Sequence, residues 1–348
     1  RVPLKFGPEV TTRVTCARAA LTVCNGEGKT ATGWGETPLS VTWVWPSGLT
    51  YEERNNRLKE FCRRLLTLWR NYEVPGHAME IGHQFIRDRL LTAWEAENEG
   101  RDEAHQMPYL AALVCNSLFD LALHDAYGVC NEVATFNTYN SAYMNHDLTW
   151  YYTPEYREIF TGKYPEDFLV DRAKVPTELV AWHLVGAKDA LEEEDLTGEE
   201  PQDGYPVLLR DWIAQDGLRC LKVKLTGLDP VWDYRRLIRV GQIALETGVQ
   251  YLSADFNCMV QDPAYVCQML DRLQKEHPEI FQLILYVEQP FPYDLEKYPL
   301  DVREVSRRKP LFMDESAHDW QFVALGLSRG WSGVALKTCK TMTGALLS

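Results

Sequence analysis

Six charged residues close short apolar or β-branched runs: Lys222 and Lys224 in CLKVK, Asp255 in YLSAD, Glu288 in LILYVE, Asp314 in LFMD and Lys337 in GVALK. Lys222 and Lys224 lie two apart, so both share one face of a strand while Val223 turns to the other. Asp255 and Asn257 repeat that spacing one unit later, and Glu315 follows Asp314 directly. Taken singly, each is ordinary. A Lys-x-Lys pair is usually a solvated edge, and an Asp after an apolar run is usually a helix N-cap. Charges at the same end of five successive strands are a different matter. Three carboxylates crowded in a low dielectric raise one another's pKa strongly unless a cation sits between them. Oxygen-only donors select a hard ion, Mg2+ above all. A lysine held against another lysine and such a cation is pushed towards its neutral form, in which it is a usable base.

The surrounding elements must bring these ends together. From about residue 175, strands alternate with amphipathic helices. The predicted strands are Glu178–Leu184, Cys220–Lys224, Tyr251–Asp255, Leu283–Glu288, Leu311–Asp314 and Gly333–Lys337, and the helices include Pro230–Thr247, Pro263–Lys275 and Trp320–Leu327. Such β-then-α units imply a parallel sheet with helices outside it. The last five strand ends advance in steps of 31, 33, 26 and 23 residues, with no Gly-rich dinucleotide fingerprint. This predicts an α/β fold, a (β/α)8-type barrel with its site at the C-terminal mouth. Only six units fit before Ser348, so the barrel is expected to be truncated after strand six, two units (about 50–60 residues) short of closure. The chain also opens at Arg1 without a Met, which points to a trimmed or partial sequence.

Ahead of the barrel, Val14–Cys24 and Thr30–Thr37 read as a hairpin turning at Asn25-Gly26. Helices are predicted over Tyr51–Tyr72, Ala78–Glu95 and Met107–Tyr127, the last apolar nearly all round and capped by Gly128. The expected division is an α+β capping domain over 1–132, an irregular connection over 133–174, and a barrel domain over 175–348 that lacks its C-terminal part.

Composition narrows the function classes. The 348 residues carry 36 Lys+Arg against 50 Asp+Glu, a net charge of −14, whereas phosphate binding needs a positive face. No uninterrupted apolar run approaches the ~18–20 residues of a membrane span. Nine cysteines without a C-x-x-C pair and eight histidines without an H-x-x-x-H pair argue against zinc clips and disulfide frameworks. The expectation is a soluble, cytoplasmic protein with neither nucleic-acid nor membrane partners.

The ordered set LKVK (221–224), Asp255-Phe256-Asn257, VEQP (287–290), DES (314–316) and Leu336-Lys337 resembles the enolase superfamily. Within it, the chain is most similar to the muconate lactonizing branch of the mandelate racemase/muconate lactonizing enzyme family. Arg1–Gly7 (RVPLKFG), Gly33–Thr37 (GWGET) and Phe119–Asp125 (FDLALHD) resemble that family's capping domain. The resemblance implies that Asp255, Glu288 and Asp314 ligate Mg2+. It makes Lys224 the base on one substrate face, with Lys222 tuning its pKa or touching the substrate carboxylate. Lys337 then stands on the opposite face as conjugate acid, second base or electrostatic stabiliser, and Asn257 and Glu315 support the ligands from behind. The implied chemistry is removal of the proton α to a carboxylate through an enediolate.

The expected function is therefore a Mg2+-dependent racemase, epimerase or cycloisomerase of a small carboxylate, working as a homo-oligomer. The alternatives are an acid-sugar dehydratase of the same superfamily, a Schiff-base aldolase using Lys337, and a barrel scaffold without activity. An Asp at the third ligand position and Lys on the sixth strand argue against the mandelate racemase branch. Two features depart from the family: a long 133–174 connection, and no double glycine after Lys337.

Overall fold

Segments far apart in sequence combine into two units, one made of Arg1–Thr12 and Thr177–Ala335, the other of Arg13–Pro176 and Leu336–Ser348. The structure, a computed structural model, describes residues 4–6, 9–171 and 174–348, so Arg1–Pro3 and Gly7 of the opening motif lie outside the described residues. This division differs from the predicted one. Residues 336–348 group with the α+β unit and not with the barrel, the 133–174 connection belongs to that same unit, and the N-terminal strands β1 (Leu4–Phe6) and β2 (Glu9–Thr11), an antiparallel pair, group with the barrel unit.

In the α+β unit, β3 (Cys16–Cys24) and β4 (Thr30–Pro38) pair antiparallel over their full length. The turn between them is longer than predicted. The Asn25 side chain accepts from the N–H groups of Glu27 and Lys29, and the left-handed residue is Gly28 (φ 84), not Gly26. After the short α1 (Val41–Val44), α2 (Tyr51–Arg70) opens with a Thr50/Glu53 capping box. The helix predicted over Ala78–Glu95 is interrupted: α3 (Ala78–Phe85) passes through a π turn at Ile86–Leu90 into α4 (Leu91–Asn98).

The core helix is α5 (Tyr109–Cys130). Gly33 and Gly35 of the GWGET motif let it lie directly on β4, since a Cβ there would come within 2.1 Å of Ala126 N and 1.9 Å of Leu118 O. Gly128 is not a cap. The helix continues to Cys130, and a Cβ at Gly128 would meet Thr135 Oγ1 at 2.6 Å. Among the described residues, Glu103–Cys130 is apolar enough by length and composition to cross a membrane, but 83% of its most apolar 18-residue stretch is buried inside the protein.

The connection after α5 is irregular, with 3-10 turns and the four-residue α6 (Arg157–Phe160). The Glu80 carboxylate anchors it by accepting from the backbone N–H groups of Asn145 and His146. The chain's last segment is pinned here by Thr343, which explains why it groups with this unit. Its N–H and hydroxyl donate to the Asp120 carboxylate at 2.9 and 2.7 Å.

The barrel unit contains β5 (Trp182–Val185), α7 (Leu209–Asp216), β6 (Cys220–Lys224), α8 (Pro230–Thr247), β7 (Tyr251–Asp255), α9 (Pro263–Glu276), α10 (Pro278–Leu283), β8 (Ile284–Glu288), α11 (Arg303–Ser306), β9 (Leu311–Met313), α12 (Trp320–Arg329) and β10 (Gly333–Val334). Helix α13 (Met342–Leu347) closes the chain within the other unit. The six strands form one parallel sheet in sequential order from β5 to β10, a partial (β/α) barrel. Asp229 and Asp262 cap α8 and α9, each followed by proline at the first helical position. Leu221, Val223, Leu252, Ala254 and Val287 pack with Leu237, Val240 and Leu270 of the covering helices, at roughly 1.5–3 kcal/mol per large side chain buried.

One irregularity sets the site. Leu252 pairs with Ile284 but Ser253 pairs with Tyr286, so Leu285 is an extra, exposed residue. This bulge shifts the phase of β8 by one residue, which puts Tyr286 and Glu288 on the face of Lys222, Lys224 and Asp255.

Candidate active site at the strand ends

Lys224, Asp255 and Glu288 occupy paired positions on three adjacent strands. Lys224 Nζ donates to Asp255 Oδ2 at 2.6 Å and to Asn257 Oδ1 at 3.0 Å. Lys222 Nζ bridges Asp255 Oδ2 at 2.8 Å and Glu288 Oε1 at 2.5 Å. The second Asp255 oxygen accepts the N–H of Asn257 at 2.9 Å. Asp255, Glu288 and Asp314 are almost fully buried, with exposures of 0%, 1% and 2%. Asp314 directly follows β9, near enough for its charge to act on Glu288.

The electrostatics divide the acids. Burial, then the Asp255 and Asp314 charges, push Glu288 up to about 7 against the pull of Lys222. Burial also works against an ionised Asp255, but Lys224 and Lys222 outweigh it and hold this carboxyl below its usual range. The two neighbouring acids are thus shifted in opposite directions, a pattern typical of functional sites. Burial opposes the charge of Lys222, yet Asp255 and Glu288 prevail and raise its pKa. Its immediate neighbours are carboxylates, and it acts as their counter-ion.

The donor set fits a hard divalent cation in type. Every predicted ligand atom is a carboxylate oxygen. Among the described residues, no three His, Cys, Asp or Glu side chains are gathered as a ready coordination shell. The Lys222 ammonium lies between two of the predicted ligands instead.

Asn257 and Glu315 are buried beside the site. Lys337 is placed differently from the other predicted residues. β10 ends at Val334, three residues before the predicted strand end, and Lys337 begins a 3-10 turn in the α+β unit, where its Nζ lies 4.7 Å from the centre of the Trp43 ring.

Two residues at the strand ends escaped sequence reasoning. The Cys258 thiol is pushed well up by burial and by the charges of Glu315, Asp314 and Asp255, and a lone cysteine gives no sequence signal. Gln289 is completely buried. Its only sequence signal was a polar amide between Glu288 and Pro290 in the quoted VEQP motif. Asn257, Cys258 and Gln289 all have positive φ, at 47°, 64° and 31°, a strain that concentrates at functional sites.

Comparison with solved structures adds the wider frame. A mandelate racemase/muconate lactonizing protein from Herpetosiphon aurantiacus superposes with a TM-score of 0.54 at 17% identity, over 99% of this chain and 74% of that one. This chain has the mandelate racemase/muconate lactonizing enzyme fold. A muconate cycloisomerase from Pseudomonas fluorescens is similar, with a TM-score of 0.51 at 16% identity over 99% of this chain and 72% of its own. So is another mandelate racemase/muconate lactonizing enzyme, at 0.51 and 14% over 96% and 76%. No family sequence model and no curated protein matches the sequence itself. The mandelate racemase/muconate lactonizing enzyme fold accounts for the partial barrel and the α+β unit together.

Proposed function

We propose that the chain is a Mg2+-dependent enzyme of the enolase superfamily that removes the proton α to the carboxylate of a small acid, working as a racemase, epimerase or cycloisomerase. The observation that carries this reading is the single row Lys224–Asp255–Glu288 across three strand ends, with Asp314 beside it. Asp255, Glu288 and Asp314 would hold the ion, which supplies fixed positive charge against the substrate oxygens where negative charge builds.

The chain's own residues do the rest. Lys224 Nζ is the proton-transfer group, aimed by its bonds to Asp255 and Asn257. A base contributes only when held within hydrogen-bond reach of its proton, and these two bonds fix its direction. Lys222, more exposed than Lys224, offers the second ammonium to the substrate carboxylate. The apolar layer behind the strands keeps bulk water from the buried acids.

The test is exchange of the α proton in D2O, followed by NMR with a library of small carboxylates and Mg2+. Deuterium should enter at the α carbon, and entry should stop in Lys224→Ala and after chelation of the metal. Exchange indifferent to both changes would reject the proposal.

A further inference from the structure

We infer that Gln289 is a positioning residue that sets where Asp314 stands relative to Glu288 and Asp255, and thereby how tightly the strand ends hold a divalent cation. The inference rests on the proposal that these three carboxylates share one ion.

The geometry is specific to an amide. Gln289 Oε1 accepts from the backbone N–H of Asp314 at 2.8 Å and from that of Ser316 at 3.1 Å. Its Nε2 donates to Phe291 O at 2.9 Å and to Ser316 Oγ at 2.8 Å, and the Ser316 hydroxyl passes the connection on to Tyr293 O at 2.9 Å. The main chain of Gln289 adds two further ties. Its N–H donates to Phe312 O at 2.9 Å, and its carbonyl accepts from Cys258 N–H at 2.8 Å. One buried residue thus joins the ends of three strands: the turn after Asp255, Glu288 itself, and the start of Asp314-Glu315-Ser316.

Two features make the side chain, and not just the backbone, the working part. The backbone bonds survive a change of side chain to any residue but proline, whereas the bond to the N–H of Asp314 belongs to the side chain alone. Only an amide of this length offers an acceptor and two donors in one plane: a carboxylate keeps the acceptor but loses both donors, and a methionine keeps the length but loses all three. The positive φ of 31° shows that the surrounding bonds over-determine this conformation. Groups that orient metal ligands from behind affect affinity without touching the ion.

The test titrates Mn2+, read by electron paramagnetic resonance, into wild type, Gln289→Met, Ser316→Ala and Leu270→Ala. Leu270 is buried on α9, within the apolar layer, and serves as a control for simple loss of stability. Gln289→Met should weaken Mn2+ binding by about tenfold or more, and the rise in Tm on adding Mg2+ should shrink in proportion. Ser316→Ala removes one partner of the same amide and should weaken binding by about threefold; it also decides the matter if Gln289→Met does not fold. Leu270→Ala should lower Tm with and without Mg2+ alike and leave the Mn2+ affinity unchanged. Wild-type affinity in Gln289→Met, or in Ser316→Ala where the former does not fold, overturns the inference while leaving the shared ion in place. An equal loss in Leu270→Ala overturns it too. A wild type that binds no Mn2+ overturns the proposed function and this inference with it.

Discussion

Among the described residues, a buried polar cluster in the barrel unit and one in the α+β unit are built on opposite principles. At the barrel's strand ends, Lys222 and Lys224 pair with Asp255 and Glu288, and burial, then the Asp255 and Asp314 charges, push Glu288 up to about 7. In the α+β unit, Asp120, His124, Tyr139 and Thr343 form a hydrogen-bonded chain that contains no ammonium or guanidinium. The Thr343 hydroxyl donates to Asp120, so it accepts from His124 Nε2, which leaves Nδ1 to accept the Tyr139 hydroxyl at 2.8 Å. Burial pulls His124 down to about 3 and lifts Asp120 to about 6. Both clusters obey the rule that buried polar groups find partners. The first holds its acids in place through ion pairs with two lysines. The second is close to self-sufficient, and its product is the attachment of the final segment.

The contrast yields graded expectations. Lys224→Ala should cut α-proton exchange by about 10³-fold, within the range of general-base contributions, with the far-UV circular dichroism unchanged. Lys222→Met leaves Asp255 and Glu288 facing each other without their bridging ammonium. It should destabilise the metal-free protein by about 3 kcal/mol, as breaking a buried ion pair does, and urea unfolding should show that Mg2+ restores most of the loss. A loss that Mg2+ does not restore would place Lys222 outside the ion's balance of charge.

In the cluster of the α+β unit, pH is the lever. The Asp120 carboxyl is raised in the fold from 3.8 to about 6, so between those values the folded state holds a proton that the unfolded chain has released. Its contribution is full below about pH 4 and is lost as pH rises through about 6, a change of at most about 3 kcal/mol. His77 and His124, lowered to about 3, act with the opposite sign: their neutral state adds stability as pH rises towards 6.5. Asp120→Asn should therefore make stability climb more steeply between pH 4 and 6 than in wild type, as followed by urea midpoints. An unchanged profile would remove Asp120 from the balance. Thr343→Val should cost about 1–2 kcal/mol for the hydrogen bonds lost, and Mg2+ should not repair it.

Much of the charged cluster was legible because period-2 spacing fixes a shared face locally. Lys222 and Lys224, Asp255, Glu288 and Asp314 needed only their place at the ends of apolar runs. The β8 bulge was not legible, since Leu285 reads as one more apolar strand residue and its extra position appears only in the pairing with β7. The attachment of residues 336–348 was hidden for a related reason. Thr343 and Asp120 lie 223 positions apart, and nothing near Lys337 signals that the chain leaves the sheet after Val334. Gln289 was visible as a letter in a motif, but its four side-chain bonds depend on how three loops meet. Gly128 looked like a helix cap because a glycine near a helix end usually is one, whereas here it gives room for Thr135.

The reading of the strand ends stands or falls on ion stoichiometry. Mn2+ titrated into wild type, Asp255→Asn, Glu288→Gln and Asp314→Asn should show one ion per chain in the first and markedly weakened binding in each of the other three. No binding in wild type, or equal binding in all four, would contradict a cation shared by these carboxylates.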